Sequence, residues 1–142
     1  MANLHFKQLS IDDQSEIARL GQKLNPDLTM ETMIDFVGQM FEFKNYHCFG
    51  LLLDGKIVGI TSGWETVRFY SGKQLEVDNV IIDTTLQSGG LGTKFFEFIE
   101  SWAKANDFKT IELNTYVQNS RSHKFYFTLG YKILGFHFQK YI

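Results

Sequence analysis

The chain has 142 residues, 44% of them hydrophobic and 15% aromatic, with 14 phenylalanines, enough apolar material for the core of a single domain spanning 1–142. A net charge of −2 provides no basic footprint and argues against nucleic acid as the main partner, and the lone Cys48 excludes an internal disulfide framework. Met1–Lys7 lacks the apolar stretch of a signal peptide, and no apolar run approaches the roughly 18 residues of a membrane span, so a cytoplasmic chain without a membrane partner is expected.

In chain order, Leu4–Leu9 alternates and predicts a first strand. Ser10 or Asp12 can cap a helix running to about Leu20, with Gly21 just beyond its end. Asn25-Pro26-Asp27 makes a turn, and Thr29 with Thr32 opens a second helix. Strands at His47–Leu53 and Lys56–Gly63 flank Asp54-Gly55, a hairpin pair. Arg68–Lys73 predicts a loop and Leu75–Ile82 a central strand. A glycine turn follows, then a helix to about Asn106 with Leu91, Phe95, Phe98, Ile99 and Trp102 on its inner face. Thr110–Val117 predicts another strand. Asn119 or Ser120 caps a short helix ending before Gly130, and Tyr131–Tyr141 is strand-like with a bend near Gly135. The pattern is mixed α/β, with no repeat and no linker.

The segment Gln87-Ser88-Gly89-Gly90-Leu91-Gly92 lies between the apolar run Val80-Ile81-Ile82 and the helix from Leu91. A strand–glycine–helix turn aims backbone N–H groups and the positive end of the helix dipole at one point, where an anionic phosphate fits. A mononucleotide loop needs Gly-Lys-Ser/Thr, but the order here is Gly92-Thr93-Lys94. A dinucleotide loop needs a third glycine where Phe95 stands, and an early first strand. Both readings fail on specific residues.

Gln87-x-x-Gly90-x-Gly92 resembles instead the acyl-CoA pyrophosphate loop of the GNAT acyltransferase superfamily. A second element fits: Asn119-Ser120-Arg121-Ser122-His123-Lys124-Phe125-Tyr126, then Leu129-Gly130-Tyr131, is similar to that family's Asn-x-x-Ala-x-x-Phe-Tyr…Gly-Phe segment. From Leu52 onward the chain looks particularly like aminoalkylphosphonate N-acetyltransferases. Departures are Asp83-Thr84-Thr85 where Asp-Pro is frequent, and Gln87 where arginine is more frequent, which removes a charge-assisted bond to phosphate. The resemblance implies an α/β (α+β) GNAT fold, a mixed and mostly antiparallel twisted sheet of six to seven strands flanked by about four helices.

It also implies an N-acetyltransferase that passes the acetyl group of acetyl-CoA to a primary amine of a small molecule by direct attack in a ternary complex. Tyr126 would protonate the departing thiolate; the alternative is a core aromatic. Glu76 and Asp78 alternate on one strand face, and either could take the ammonium proton, with Asp78 preferred because it lies closer to the turn. The alternative for each is a solvated carboxylate or salt-bridge partner, and a free amine would need no base. Family resemblance assigns acyl-CoA binding to Val80, Ile81 and Ile82, where the strand splays, and to Gln87, Ser88, Gly89, Gly90, Leu91, Gly92, Thr93 and Lys94. Asn114, Asn119 and Lys124 join them, Asn119 with the competing role of a helix cap.

The acceptor pocket is expected to be built from the first two helices, with the Trp64–Lys73 loop as a wall and Arg68 and Lys73 facing an anionic group or solvent. Cys48 is expected in buried packing. His5, His47, His123 and His137 show no ligand spacing, so no metal is expected. Fourteen phenylalanines, Phe136 and Phe138 among them, exceed what one small core hides, and a homodimer is expected. A non-catalytic acyl-CoA sensor and a protein lysine or N-terminal acetyltransferase are the competing functions.

Overall fold

Residues 3–86 and 90–142 are described in the computed structural model. Five strands among them form one sheet in the order β1 (Leu4–Gln8), β2 (Tyr46–Leu53), β3 (Lys56–Arg68), β4 (Gly72–Ile82) and β5 (Thr110–Leu113). Neighbours from β1 to β4 are antiparallel. Four α-helices accompany them: α1 (Gln14–Leu24), α2 (Met30–Glu42), α3 (Leu91–Ala105) and α4 (Ser120–Thr128). The chain divides into two compact units, up to Glu112 and from Leu113 onward.

In the first unit, apolar alternation along each strand fills both faces of the sheet. Tyr46, Cys48, Leu52, Ile57, Ile60 and Ile81 pack with Ile17, Ala18 and Leu20 of α1 and Met33 and Val37 of α2. On the opposite face Phe6 and Phe49 meet Phe95, Phe98 and Trp102 of α3. Each such buried side chain contributes about 1.5–3 kcal/mol. Gly63 is held to glycine by packing, since a Cβ there would lie 2.5 Å from the Leu75 side chain.

Several expectations need correction. Ser10 caps a 3-10 turn at Ile11–Asp13, with a reciprocal bond from its own N–H to Asp13; α1 starts after it and carries Gly21 inside the helix. There Gly21 faces Met33 rather than ending the helix. The predicted loop at Arg68–Lys73 shrinks to a turn, because β3 and β4 pair as far as Arg68 opposite Gly72. Strand β5 stops at Leu113, short of the expected Val117. The strand count is five among the described residues, not six to seven, because residues 131–142 adopt no regular secondary structure. Alternation there is real, but a strand requires a ladder partner as well as a pattern.

In the second unit, Asn119 caps α4 by accepting from the Ser122 N–H at 3.2 Å, and Gly130 adopts φ 94° just past the helix, as Gly commonly does there.

Candidate active site

Strand β4 carries the centre of the site. Its register sets Ser62 opposite Asp78 and Trp64 opposite Glu76, while β2 sets Cys48 opposite Ser62 and Tyr46 opposite Trp64. Directly paired residues share a face, so both carboxylates stand on the face that α1 and α2 cover, where Cys48 and Tyr46 are buried. The expectation that Glu76 and Asp78 point the same way therefore holds.

Beyond Asp78 the pairing shifts. Ile81 is opposite Ile60, so Asn79 and Val80 together face Thr61 alone. This is a β-bulge, which bends a strand and re-aims its side chains. Asn79 sits at φ 53°, a left-handed conformation that costs most L-residues about 1–2 kcal/mol and that Asn tolerates better. The Asp78 carboxylate accepts from the Asn79 N–H at 2.9 Å and holds the bend. As a result Ile81 joins the core beneath α1 and α2. Val77, which would share its face on a regular strand, pairs instead with Gly63 opposite His47, whose ring lies against Trp102 of α3. Strain of this kind in a non-glycine residue concentrates at functional sites.

Next to the bulge is a cavity of about 170 Å³. Ile17, Leu28, Met33, Val37 and Met40 of the helical segment line one side, and Ile60, Ser62, Tyr46 and Asn79 of the sheet line the other. Residues of both helices contribute to this cavity, and Trp64–Lys73, expected as a wall of the acceptor pocket, is absent from its lining. Tyr46 Oη and Ser62 Oγ are 2.7 Å apart. Burial drives the Tyr46 phenol well above its usual range, with the neighbouring Cys48 adding to the effect. Burial likewise pushes the Cys48 thiol up to about 11, which makes it poorly nucleophilic and a packing residue, as expected. The Tyr46–Ser62 pair escaped the sequence reading because its members are 16 residues apart and meet only across the β2–β3 ladder.

The other candidates in this unit separate clearly. Glu76 pairs with Arg68 at 3.6 Å, whereas Asp78 is exposed beside the cavity's Asn79 and Ser62. Lys73 reaches the Asn106 carbonyl at 2.7 Å and Glu65 at 3.5 Å, with its ammonium 4.5 Å from the centre of the Phe108 ring. Arg68 and Lys73 are therefore both engaged with the protein's own groups.

Lys109 N donates to Lys73 O at 2.7 Å, and β5 begins at the next residue. Four residues extend only about 13 Å, so β5 cannot follow β4 as far as Val80, Ile81 and Ile82. That edge of β4 is where the strand was expected to splay. Gln87, Ser88 and Gly89 lie outside the described residues. Gly90 opens α3 at φ 72° and supplies no side-chain cap; a Cβ built on it meets nothing within 4 Å. The first turn, with Leu91, Gly92, Thr93 and Lys94, thus presents helix N-terminal N–H groups beside two exposed side chains, Thr93 and Lys94.

In the second unit Tyr126 is half-buried on α4, its ring 5.2 Å from Phe125 and 5.8 Å from Tyr131. Burial pushes its phenol up to about 12, so it remains a protonated donor at neutral pH. Asn119 uses its side-chain oxygen as the helix cap. Asn114 and Lys124 are exposed. Among the described residues no group of His, Cys, Asp and Glu could hold a metal ion, and no helix is long and apolar enough to cross a membrane.

Curated proteins give no sequence match. Solved structures match almost end to end at low identity. A possible acetyltransferase from Clostridium difficile 630 is 15% identical, with 98% of this chain and 97% of that one covered and a TM-score of 0.85. An aminoglycoside N-acetyltransferase in complex with CoA is 12% identical over 99% and 96% of the two chains, with a TM-score of 0.85. An aminoglycoside acetyltransferase from an uncultured soil metagenomic sample is 18% identical over 98% and 96%, with a TM-score of 0.81. The model of the Acetyltransferase (GNAT) family matches residues 16–131. The chain belongs to the GNAT acetyltransferase family, enzymes that use acetyl-CoA as the acetyl donor.

Proposed function

We propose that this enzyme acetylates a primary amine of a small molecule by direct attack within a ternary complex with acetyl-CoA. One observation supports the reading: β4 sets Asp78 next to Asn79 and opposite Ser62, both of which line the cavity, and the N-cap of α3, Gly90, provides no side-chain cap. An acceptor held in the cavity and a donor held by its phosphates at the helix would converge on the bulged end of one strand.

In this reading Gln87 to Lys94 hold the pyrophosphate, and the Val80–Ile82 edge takes the pantetheine and donates an N–H to the oxyanion. Asp78 accepts a proton from the substrate ammonium, directly or through water. Glu76, paired with Arg68, orients that arginine rather than acting as base. The amine nitrogen attacks the thioester carbon, the C–N bond forms, the nitrogen loses its second proton to solvent, and the C–S bond breaks as the tetrahedral oxyanion collapses. Tyr126 donates its proton to the departing thiolate and is reprotonated from solvent, so ammonium and acetyl-CoA become amide, CoA thiol and one proton. Asn114, Asn119 and Lys124 contact CoA from α4 and the segment before it, Asn119 through its amide N–H groups while its oxygen caps the helix.

A phosphonate acceptor would call on Arg68 and Lys73, which are already paired, so we favour a plain amine over an aminoalkylphosphonate. Aminoglycosides, substrates named for two of the structural relatives, are the second small-molecule class to test. The bulge and the position of Asp78 beside it favour catalysis over a non-catalytic sensor, and the small size of the cavity favours a metabolite over a protein lysine or N-terminus. We further propose a cytoplasmic protein that forms a homodimer, the dimer supported by Phe136 and Phe138, which are 88% and 89% exposed. The test is thiol release from acetyl-CoA across a panel of primary amines, aminoglycosides and lysine peptides. Turnover of amines is expected; turnover of peptides alone would overturn the small-molecule reading.

A further inference from the structure

Resting on the acetyl-transfer reading above, we infer that the acceptor is a lipophilic monoamine whose apolar group fills the cavity between α1, α2 and the sheet, and that polyamines and polycationic sugars are poor substrates.

The argument starts from volume. An apolar cavity of about 150 Å³ holds one benzene ring, and this one measures about 170 Å³. A phenyl group or a chain of about six carbons fits it, whereas a multi-ring amino sugar does not. Its chemistry agrees. Ile17, Leu28, Met33, Val37, Met40 and Ile60 are hydrocarbon or thioether surface, and no charged side chain belongs to the described lining. A second ammonium group carried into this space would be desolvated with no carboxylate to meet it, which is strongly unfavourable. At the sheet end Tyr46 and Ser62 already bond one another and Asn79 stands on the bulge; on the helical side the polar lining residue Asn25 donates its amide to the Gly21 carbonyl. Asp78, opposite Ser62 in the sheet, provides a single negative charge at the sheet end. One carboxylate beside an uncharged pocket matches one ammonium followed by an apolar tail. The two methionines add adaptability, since their unbranched side chains reshape around tails of differing outline.

The test measures kcat/KM by thiol release for ethylamine, butylamine, hexylamine, phenethylamine, spermidine and glucosamine, with the full chain. A gain of about fourfold per added methylene is expected, levelling near six carbons, with spermidine and glucosamine no better than ethylamine. Two variants tie the gain to the cavity. Leu28→Trp, which fills it, should flatten the chain-length series. Phe36→Ala, which removes a 42%-exposed ring from the cavity lining, should move the optimum to bulkier amines. A flat series in the unmodified enzyme, or spermidine preferred over hexylamine, overturns this inference and leaves acetyl transfer standing. If no amine releases thiol, acetyl transfer to a small amine fails. Calorimetry with hexylamine and spermidine in the presence of CoA then decides the cavity by itself: tighter hexylamine binding supports the pocket, and equal or reversed affinities overturn it.

Discussion

Replacing Gly90 by aspartate and, separately, by asparagine isolates the charge term of CoA binding from every effect on the fold. Gly90 has φ 72° and is exposed, with nothing within 4 Å of a built Cβ, so either side chain fits. Both residues tolerate the left-handed region, and both are favoured helix caps. Their effects on stability should therefore nearly cancel, with Asp slightly better because its charge opposes the helix dipole's positive end. They differ towards a phosphate. One carboxylate about 6 Å from one phosphate charge costs about 0.7–3 kcal/mol for effective dielectrics between about 80 and 20. A pyrophosphate carries more than one charge, so CoA should bind Gly90→Asp at least about tenfold more weakly than Gly90→Asn, about 1.4 kcal/mol. Calorimetry at low salt measures the ratio, and raising the ionic strength should shrink it. Equal affinities in two folded variants would refute phosphate binding at this turn.

Four further outcomes follow from the same geometry. Tyr126→Phe removes one hydroxyl and should lower kcat by about 10²–10⁴-fold with acetyl-CoA affinity nearly unchanged; wild-type kcat between about pH 6 and 9, a range including the usual thiol pKa, would leave Tyr126 only a packing role. Asn79→Val should cost about 1–2 kcal/mol in denaturant unfolding because a β-branched residue resists positive φ, while Asn79→Gly should be tolerated; equal stability of the two would remove the strain at the bulge. Cys48 has a folded pKa raised from 9.0 to about 11; its contribution is complete below pH 9 and is lost as pH rises towards 11, because the unfolded chain gives up the thiol proton first. Thermal unfolding should show that alkaline loss, and Cys48→Ala should reduce its slope. Sedimentation should show a dimer at micromolar concentration that Phe136→Ser with Phe138→Ser dissociates, whereas a strictly monomeric parent chain would reject the interface.

The sequence by itself determined the local geometry wherever the cause was local. Asp54-Gly55 closes the hairpin because both residues accept positive φ, Thr29 and Asn119 cap their helices through short-range bonds, and the alternation of Glu76 and Asp78 put them on one face. The glycine pattern from Gln87 to Gly92 pointed to the family that the match over residues 16–131 establishes. Tertiary structure decided what depends on partners distant in the chain. Gly21 reads as a helix end but is contained in α1, facing Met33. Arg68 and Lys73 read as a loop, yet long β3–β4 pairing extends them into strand and assigns their charges to Glu76 and Glu65. The bulge at Asn79, the Tyr46–Ser62 bond and the uncharged cavity left no mark in any short window. Each arises where a register shift or a cross-strand pair joins residues that sequence spacing keeps apart, and side-chain periodicity records only which face a residue takes, not what it meets there.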